Sequence, residues 1–353
     1  MKVKVEKLLD FLQTDGMAFS IPLFQRPYSW DSWQCEVLWN DIERTALTDT
    51  PHFFGAVFYR RERDDVGGVT LSLIDGQQRT LTSLLLLAAL RDHLKERGLS
   101  DDTDKPDRFA EHLHIDGGAK VHPAPRDRVG FAIALDGAAG SEQPCNALSN
   151  KAFFMGRMAE PGFDACAFLR GLGGFQIVAV ELEDGDDAQS IFESFNSKGV
   201  PLVAADMVRN YLLLAEDPEE QERLYLDYWE PIQGLFGDDP GSLRLNNALR
   251  AWTVIRCKTP KAKSDAECFG DFKRYLLDEY DGSKEDLMQE LLSFCTVWAE
   301  NYRYHAVKKY RSSDWAKIGR KTLVSGRPRA AASREAREFY AKHYGVEIGE
   351  DEL

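Results

Sequence analysis

Residues 69–98, VTLSLIDGQQRTLTSLLLLAALRDHLKERG, decide the fold of this 353-residue chain. Val69–Ile74 is a short apolar run of strand length. Asp75-Gly76 breaks it, and from Gln77 a strongly apolar helical pattern runs to Gly98. The spacing predicts a strand, a tight turn and a helix, with Asp75, Gln77, Gln78, Arg79 and Thr80 at the joint. A helix start leaves about four backbone N–H groups unpaired and carries partial positive charge, so it favours an anion. Arg79 adds a permanently charged, forked donor suited to phosphate. The glutamines can hold a water or a sugar hydroxyl, and Asp75 can orient a water or hold a metal ion. The plainer alternative is an Asp-Gly turn with Arg79 on a solvated helix face, and spacing alone does not separate the two.

Upstream, residues 3–13 (VKVEKLLDFLQ) fit a short amphipathic helix with Val5, Leu8, Leu9 and Leu12 on one face. Ala18–Leu23 reads as a strand and Phe24–Trp30 as a loop. Pro27 bars Arg26 from helical geometry, so that side chain leaves an extended backbone. Ser29 or Asp31 can cap the next helix, 32–46, whose Val37, Leu38 and Ile42 point inward. Phe53–Tyr59 is a strand, and the charged stretch 60–68 returns the chain to Val69 as a hairpin would.

Downstream, residues 100–150 are Gly-, Pro- and Asp-rich with weak periodicity and read as a surface excursion. His112, His114 and His122 fall inside it without a cysteine or carboxylate at metal-ligand spacing, so no metal is assigned. Residues 146–158 and 163–172 are helical, and Gln176–Leu182 is a strand. A helix with Ile191, Phe192 and Phe195 ends at Asn196-Ser197-Lys198-Gly199, residues that tolerate left-handed backbone. Another helix covers 206–214. From Pro218 to Val307 the pattern is helical, with Tyr225, Trp229, Trp252, Phe272, Tyr275, Leu287, Leu291 and Trp298 as core.

Composition bounds the rest. A content of 43% hydrophobic and 11% aromatic residues suits a packed core and excludes a disordered chain. Six scattered cysteines without a CxxC pair read as reduced thiols of a cytoplasmic protein. The longest apolar run, Leu84–Leu90, is far below the roughly 20 residues of a membrane span. The net charge of −14 argues against a simple nucleic-acid coat. Its distribution is uneven: 1–302 holds 32 Lys/Arg against 51 Asp/Glu, whereas 303–353 holds 12 against 7. A basic arm on an acidic body can reach phosphate backbone or the body itself, and a solvated terminal segment is the alternative.

Three motifs occur in order: IPLFQRPYSW at 21–30, DGQQRT at 75–80 and FESFNSKGVPLVAADMVRNYLL at 192–213. Together they resemble the amino-terminal domain of the GmrSD-type modification-dependent restriction enzymes. That domain also occurs in SspE-type anti-phage effectors that sense phosphorothioate DNA, and it is similar to the ParB/sulfiredoxin-like fold. The resemblance covers roughly residues 5–305. It implies an α+β module, a small mixed sheet with helices over 1–215, then a mainly helical domain over 216–310; the charge count adds a basic tail over 311–353.

The function implied by this resemblance is NTP hydrolysis coupled to sensing of modified DNA in phage defence. GTP or ATP would be the substrate, with room for Mg2+; phosphorothioate or modified-cytosine DNA and a nuclease subunit would be the partners. Catalysis would fall to Asp75, Gln77, Gln78 and Arg79, and nucleotide binding to Gln25, Arg26, Gly76, Thr80, Asn196 and Lys198. DNA would meet Phe24 and Tyr28 and, on the charge count, Lys308, Lys309 and Arg311 of the basic arm, while Asp206 and Asn210 would brace the turn. Phe24 stands where tyrosine is common, so any hydrogen bond from that ring is lost. Relatives commonly continue into a His-metal finger nuclease with a His-x-x-Pro stretch, whereas His305 is followed here by a Lys/Arg-rich segment. The resemblance leaves open a non-catalytic sensor that regulates a separate nuclease, and a DNA-nicking enzyme.

Overall fold

The computed structural model describes residues 1–301 apart from 15, 64–67, 99–108, 116, 138–144, 184, 190, 192–201, 238–242 and 259–263, together with 323–324 and 327–328. The chain is α+β and divides into two compact units. One comprises Met1–Leu202 with Asp206–Glu222, the other Val203–Ala205 with Arg223–Leu353.

The first unit is built on a six-stranded mixed sheet. Its strands are β1 (Lys2–Lys7), β2 (Met17–Ser20), β3 (His52–Arg63), β4 (Val69–Asp75), β7 (Val121–His122) and β8 (Phe175–Leu182). Their order across the sheet is β1-β8-β3-β4-β2-β7. β1 and β4 run antiparallel to their neighbours β8 and β3, while β3–β8, β2–β4 and β2–β7 pair in parallel. A separate short hairpin, β5 (His114–Ile115) with β6 (Gly118–Ala119), lies between β4 and β7 in sequence. β4 is interior to the sheet, and Leu71, Ser72, Leu73 and Ile74 are all buried. A strand covered on both faces reads as a continuous apolar run instead of an alternating one.

Helices pack around this sheet: α1 (Leu8–Gln13), α2 (Ser32–Thr48), α3 (Gln77–Glu96), α4 (Ala110–Leu113), α5 (Arg128–Asp136), α6 (Asn146–Ala159) and α7 (Ala165–Gly173). α3 is apolar on nearly every side, with every residue from Leu81 to Leu90 buried. Such a helix has no solvent face and must be wrapped; α4, α5 and α6 all pack on it. α2 opens on a capping box in which Asp31 accepts the Trp33 N–H at 2.8 Å and Gln34 accepts the Asp31 N–H at 2.8 Å.

Two expectations give way. Residues 2–7 are a strand, and the first helix begins only at Leu8. The Lys-Val-Lys-Val alternation has period 2, but an edge strand leaves Val3 and Val5 exposed, which hides its face from a burial-based reading. The stretch 100–150 is also more than a surface excursion. β7 extends the main sheet from it, and Phe109, Leu113, Phe131 and Leu135 enter the core. Within it Lys120 is 2% exposed. Its Nζ donates to the carbonyl oxygens of Gln13 (2.6 Å), Thr14 (2.8 Å) and Glu111 (3.0 Å).

α8 (Ala204–Leu213) and α9 (Pro218–Leu224) follow the sheet. In the second unit a π-helical turn at Tyr225–Trp229 leads into α10 (Glu230–Gly234), α11 (Leu243–Arg256), α12 (Asp265–Asp278) and α13 (Lys284–Asn301). Its core holds Tyr225, Trp229, Trp252, Phe272, Leu287 and Leu291 as the helical pattern predicts, while Tyr275 and Trp298 are only half-buried. Further on, the short strands β9 (Leu323–Val324) and β10 (Arg327–Pro328) pair antiparallel.

Candidate phosphate-binding turn

The joint between β4 and α3 is made by Gly76 at φ 93°, ψ 3°. A Cβ here would lie 2.9 Å from Val57 Cγ2 and 3.2 Å from Val57 Cα. Both the left-handed backbone and the closeness of β3 therefore require glycine. No side chain caps α3, and the N–H groups of Gln77, Gln78 and Arg79 reach no backbone acceptor among the described residues. A twenty-residue helix thus begins with its positive end open.

The loop 24–30 lies against this helix start and is fastened to it almost atom by atom. Gln77 Nε2 donates to the Arg26 carbonyl at 3.0 Å, and Gln78 Nε2 to that of Pro27 at 3.3 Å. Gln78 Oε1 accepts the N–H groups of Ser29 (2.9 Å) and Trp30 (3.2 Å). Gln25 Nε2 donates back to the Ile74 carbonyl at 2.7 Å. The glutamines expected to hold ligand are therefore, first of all, the clasp between loop and turn. Gln78 is fully engaged in it, whereas Gln77 keeps a buried Oε1 with no partner among the described residues.

Residues from further along the chain complete the clasp. Tyr28 N–H donates to Asp127 at 2.7 Å. The Tyr28 hydroxyl lies 2.7 Å from Thr82 Oγ1 and accepts from Asn150 Nδ2 at 2.8 Å; the same amide reaches the Trp30 carbonyl at 2.9 Å. Burial drives the Asp127 carboxyl up to about 6, against the hydrogen bond from Tyr28. Arg209 on α8 donates from Nε to the Phe24 carbonyl and from Nη2 to Asp206, both at 3.0 Å. Asp206 and Arg209, three apart on one helix, were a legible signal of such a pair. Phe24 (2% exposed) and Tyr28 (6%) are core residues here and offer no free ring face to DNA.

The two arginines differ in their commitments. Arg79 Nη2 donates to the Ala56 carbonyl at 2.5 Å and lies 3.5 Å from Asp75. Its guanidinium covers Gly55, where a Cβ would stand 3.1 Å from Nη1. Its buried Nε has no partner among the described residues. Arg26 is half-buried; its carbonyl accepts from Gln77, but its guanidinium forms no hydrogen bond or ion pair with a described residue. Burial pulls its pKa down and Arg209 adds to that, while Asp206 and Asp75 oppose it. Thr80 Oγ1 and both amide atoms of Asn210 are also buried without partners among the described residues. Unsatisfied buried polar atoms concentrated on one turn and the helix beside it mark a place prepared for water or ligand.

The expected ligands Asn196 and Lys198, and the tail cations Lys308, Lys309 and Arg311, lie outside the described residues. Among the described residues no group of three His, Cys, Asp or Glu side chains is placed to hold a metal ion. Nor is any helix long and apolar enough to cross a membrane.

An uncapped helix start with two adjoining arginines and one carboxylate makes this strand–turn–helix, on an α+β module, a candidate anion site. The model of the GmrSD restriction endonuclease N-terminal domain matches residues 5–213, more than half of the chain, and the protein belongs to that family. It is thereby a module of a restriction system that acts on modified DNA, within a family of hydrolases. None of the curated proteins compared with the chain matches it.

Proposed function

We propose that the Asp75–Thr80 turn holds the phosphates of a nucleoside triphosphate and hydrolyses it, coupling recognition of modified DNA to NTP turnover in phage defence. The observation that carries this reading is Arg26: a half-buried guanidinium with no described hydrogen-bond partner, close enough to Asp75 to feel its charge. A half-buried guanidinium has lost part of its hydration, and an anion beside the open end of α3 would offset that loss. Arg26, Arg79 and the first N–H groups of α3 bind phosphate oxygens in this scheme. Asp75 orients the attacking water, with the free Oε1 of Gln77 as a second acceptor. Mg2+ suits a site of one carboxylate plus substrate phosphates, so Asp75 is the residue that would hold it, and the ion would supply the positive charge that offsets developing negative charge.

Turnover of GTP and ATP with and without modified DNA tests this directly. Arg26→Ala should weaken nucleotide binding by about 1.5–3 kcal/mol, the range for a charged hydrogen bond. Asp75→Asn should abolish turnover while binding largely survives. Arg79→Ala is a less clean probe, because Arg79 also ties Ala56 to the turn. That tie, with Asp75 at 3.5 Å, favours a second reading in which the turn binds but does not hydrolyse. Wild-type protein that binds NTP and never turns it over under any DNA stimulus would establish this sensor reading.

A further inference from the structure

Arg209 is among the most deeply buried charged side chains of the first unit, at 2% exposure. It cannot itself reach a ligand in solvent. Its Nη2 donates to Asp206 Oδ1 at 3.0 Å, and its Nε to the Phe24 carbonyl at 3.0 Å, two residues before Arg26. Arg26 lies within the electrostatic reach of both members of this pair, Asp206 favouring its charge and Arg209 opposing it, yet it forms no ion pair with Asp206. One carboxylate therefore has two cationic neighbours and is bonded to only one.

We propose that Arg209 is a positioning residue: by occupying Asp206 it keeps Arg26 unpaired and available to an anion at the start of α3. This rests on the phosphate reading above. Without Arg209, Asp206 would be left as a buried, uncompensated charge, which is strongly unfavourable. The nearest remedy is for Arg26 to turn onto it in a carboxylate–guanidinium pair. Arg26 would then be lost to the phosphate site although nothing at that site had been altered. The bond to the Phe24 carbonyl fixes the same distance from the other side, because it holds the loop backbone that carries Arg26.

Calorimetric titration with inorganic pyrophosphate at low salt tests the proposal on the full chain. Arg209→Met should weaken pyrophosphate binding about tenfold or more, as does loss of a charged hydrogen bond. Adding Asp206→Asn to Arg209→Met removes the carboxylate that captures Arg26, and most of the lost affinity should return. Equal weakness of the single and double variants would overturn the proposal, since it would mean that Arg209 only supports the loop. Should Arg209→Met fail to fold, Asp206→Asn alone decides. Binding as tight as wild type or tighter supports the proposal, and weaker binding overturns it. Wild-type protein that binds no pyrophosphate would instead remove the phosphate reading itself. Arg209→Met that binds like wild type removes only the role given to Arg209.

Discussion

Gly76 concentrates the demands of the turn in a single residue. Its φ of 93° is one that side-chain-bearing residues rarely adopt, and Val57 stands where a Cβ would go. Gly76→Ala should destabilise the fold by about 1–3 kcal/mol, the cost of one strained backbone position, with β3 forced away from the turn. Urea unfolding of the variant checks the first effect, and pyrophosphate titration the second. Asp127 gives a pH signature. Its carboxyl is pushed up to about 6 by burial, against 3.8 for an ordinary aspartate. Between these values the native state keeps a proton that the unfolded chain releases, so stability falls as pH rises from about 4 to about 6. Asp127→Asn keeps an acceptor for the Tyr28 N–H and removes the charge. Relative to wild type it should gain about 2–3 kcal/mol on going from pH 4 to pH 7, read from denaturant midpoints across that range.

At the scale of elements, α3 organises the first unit because it is buried from Leu81 to Leu90. Leu85→Ala should cost about 2–5 kcal/mol, as a truncation deep in a core does, and thermal unfolding will show it. Gln78→Ala acts on the loop instead. It removes the acceptor of the Ser29 and Trp30 N–H groups, so those amides should exchange faster with solvent while the sheet amides do not change. The strand, turn and helix of 69–96 were legible because one long apolar run is broken once, by Asp-Gly. The position of loop 24–30 was not, because its fasteners come from residues far along the chain: Gln78, Asp127, Asn150 and Arg209. For the same reason Phe24 and Tyr28 looked available to DNA. An aromatic residue in a loop carries no local mark of whether the loop folds under other elements. β7, two residues long, is too short to leave any periodic signal.

Over the whole chain, charge is the property that composition conveys and local pattern does not. Residues 1–302 carry a large acidic excess and 303–353 a basic one. A restriction-system module that meets DNA needs a local cationic surface, and the segment from Lys308 onward is the densest source of one in the sequence. Deleting 308–353 should leave NTP turnover intact and weaken DNA binding. The slope of log K against log salt should fall by about 0.9 for every duplex phosphate that the deleted cations had neutralised. Unchanged affinity and slope would assign the DNA surface to the acidic body.

The ammonium of Lys120 occupies the place a bound metal ion takes in many small folds, gathering carbonyl oxygens from two segments about a hundred residues apart. Unlike a metal it cannot be chelated away, but it can be silenced covalently. In the native protein Lys120 should be refractory to amine-reactive reagents that label Lys2 and Lys4, both largely exposed. A chain acylated at Lys120 while unfolded would bring a neutral amide to a cluster of oxygens that needs a cation. Labelling before and after refolding, read by mass spectrometry, would then sort the molecules by history: those that had closed around this lysine, and those that no longer can.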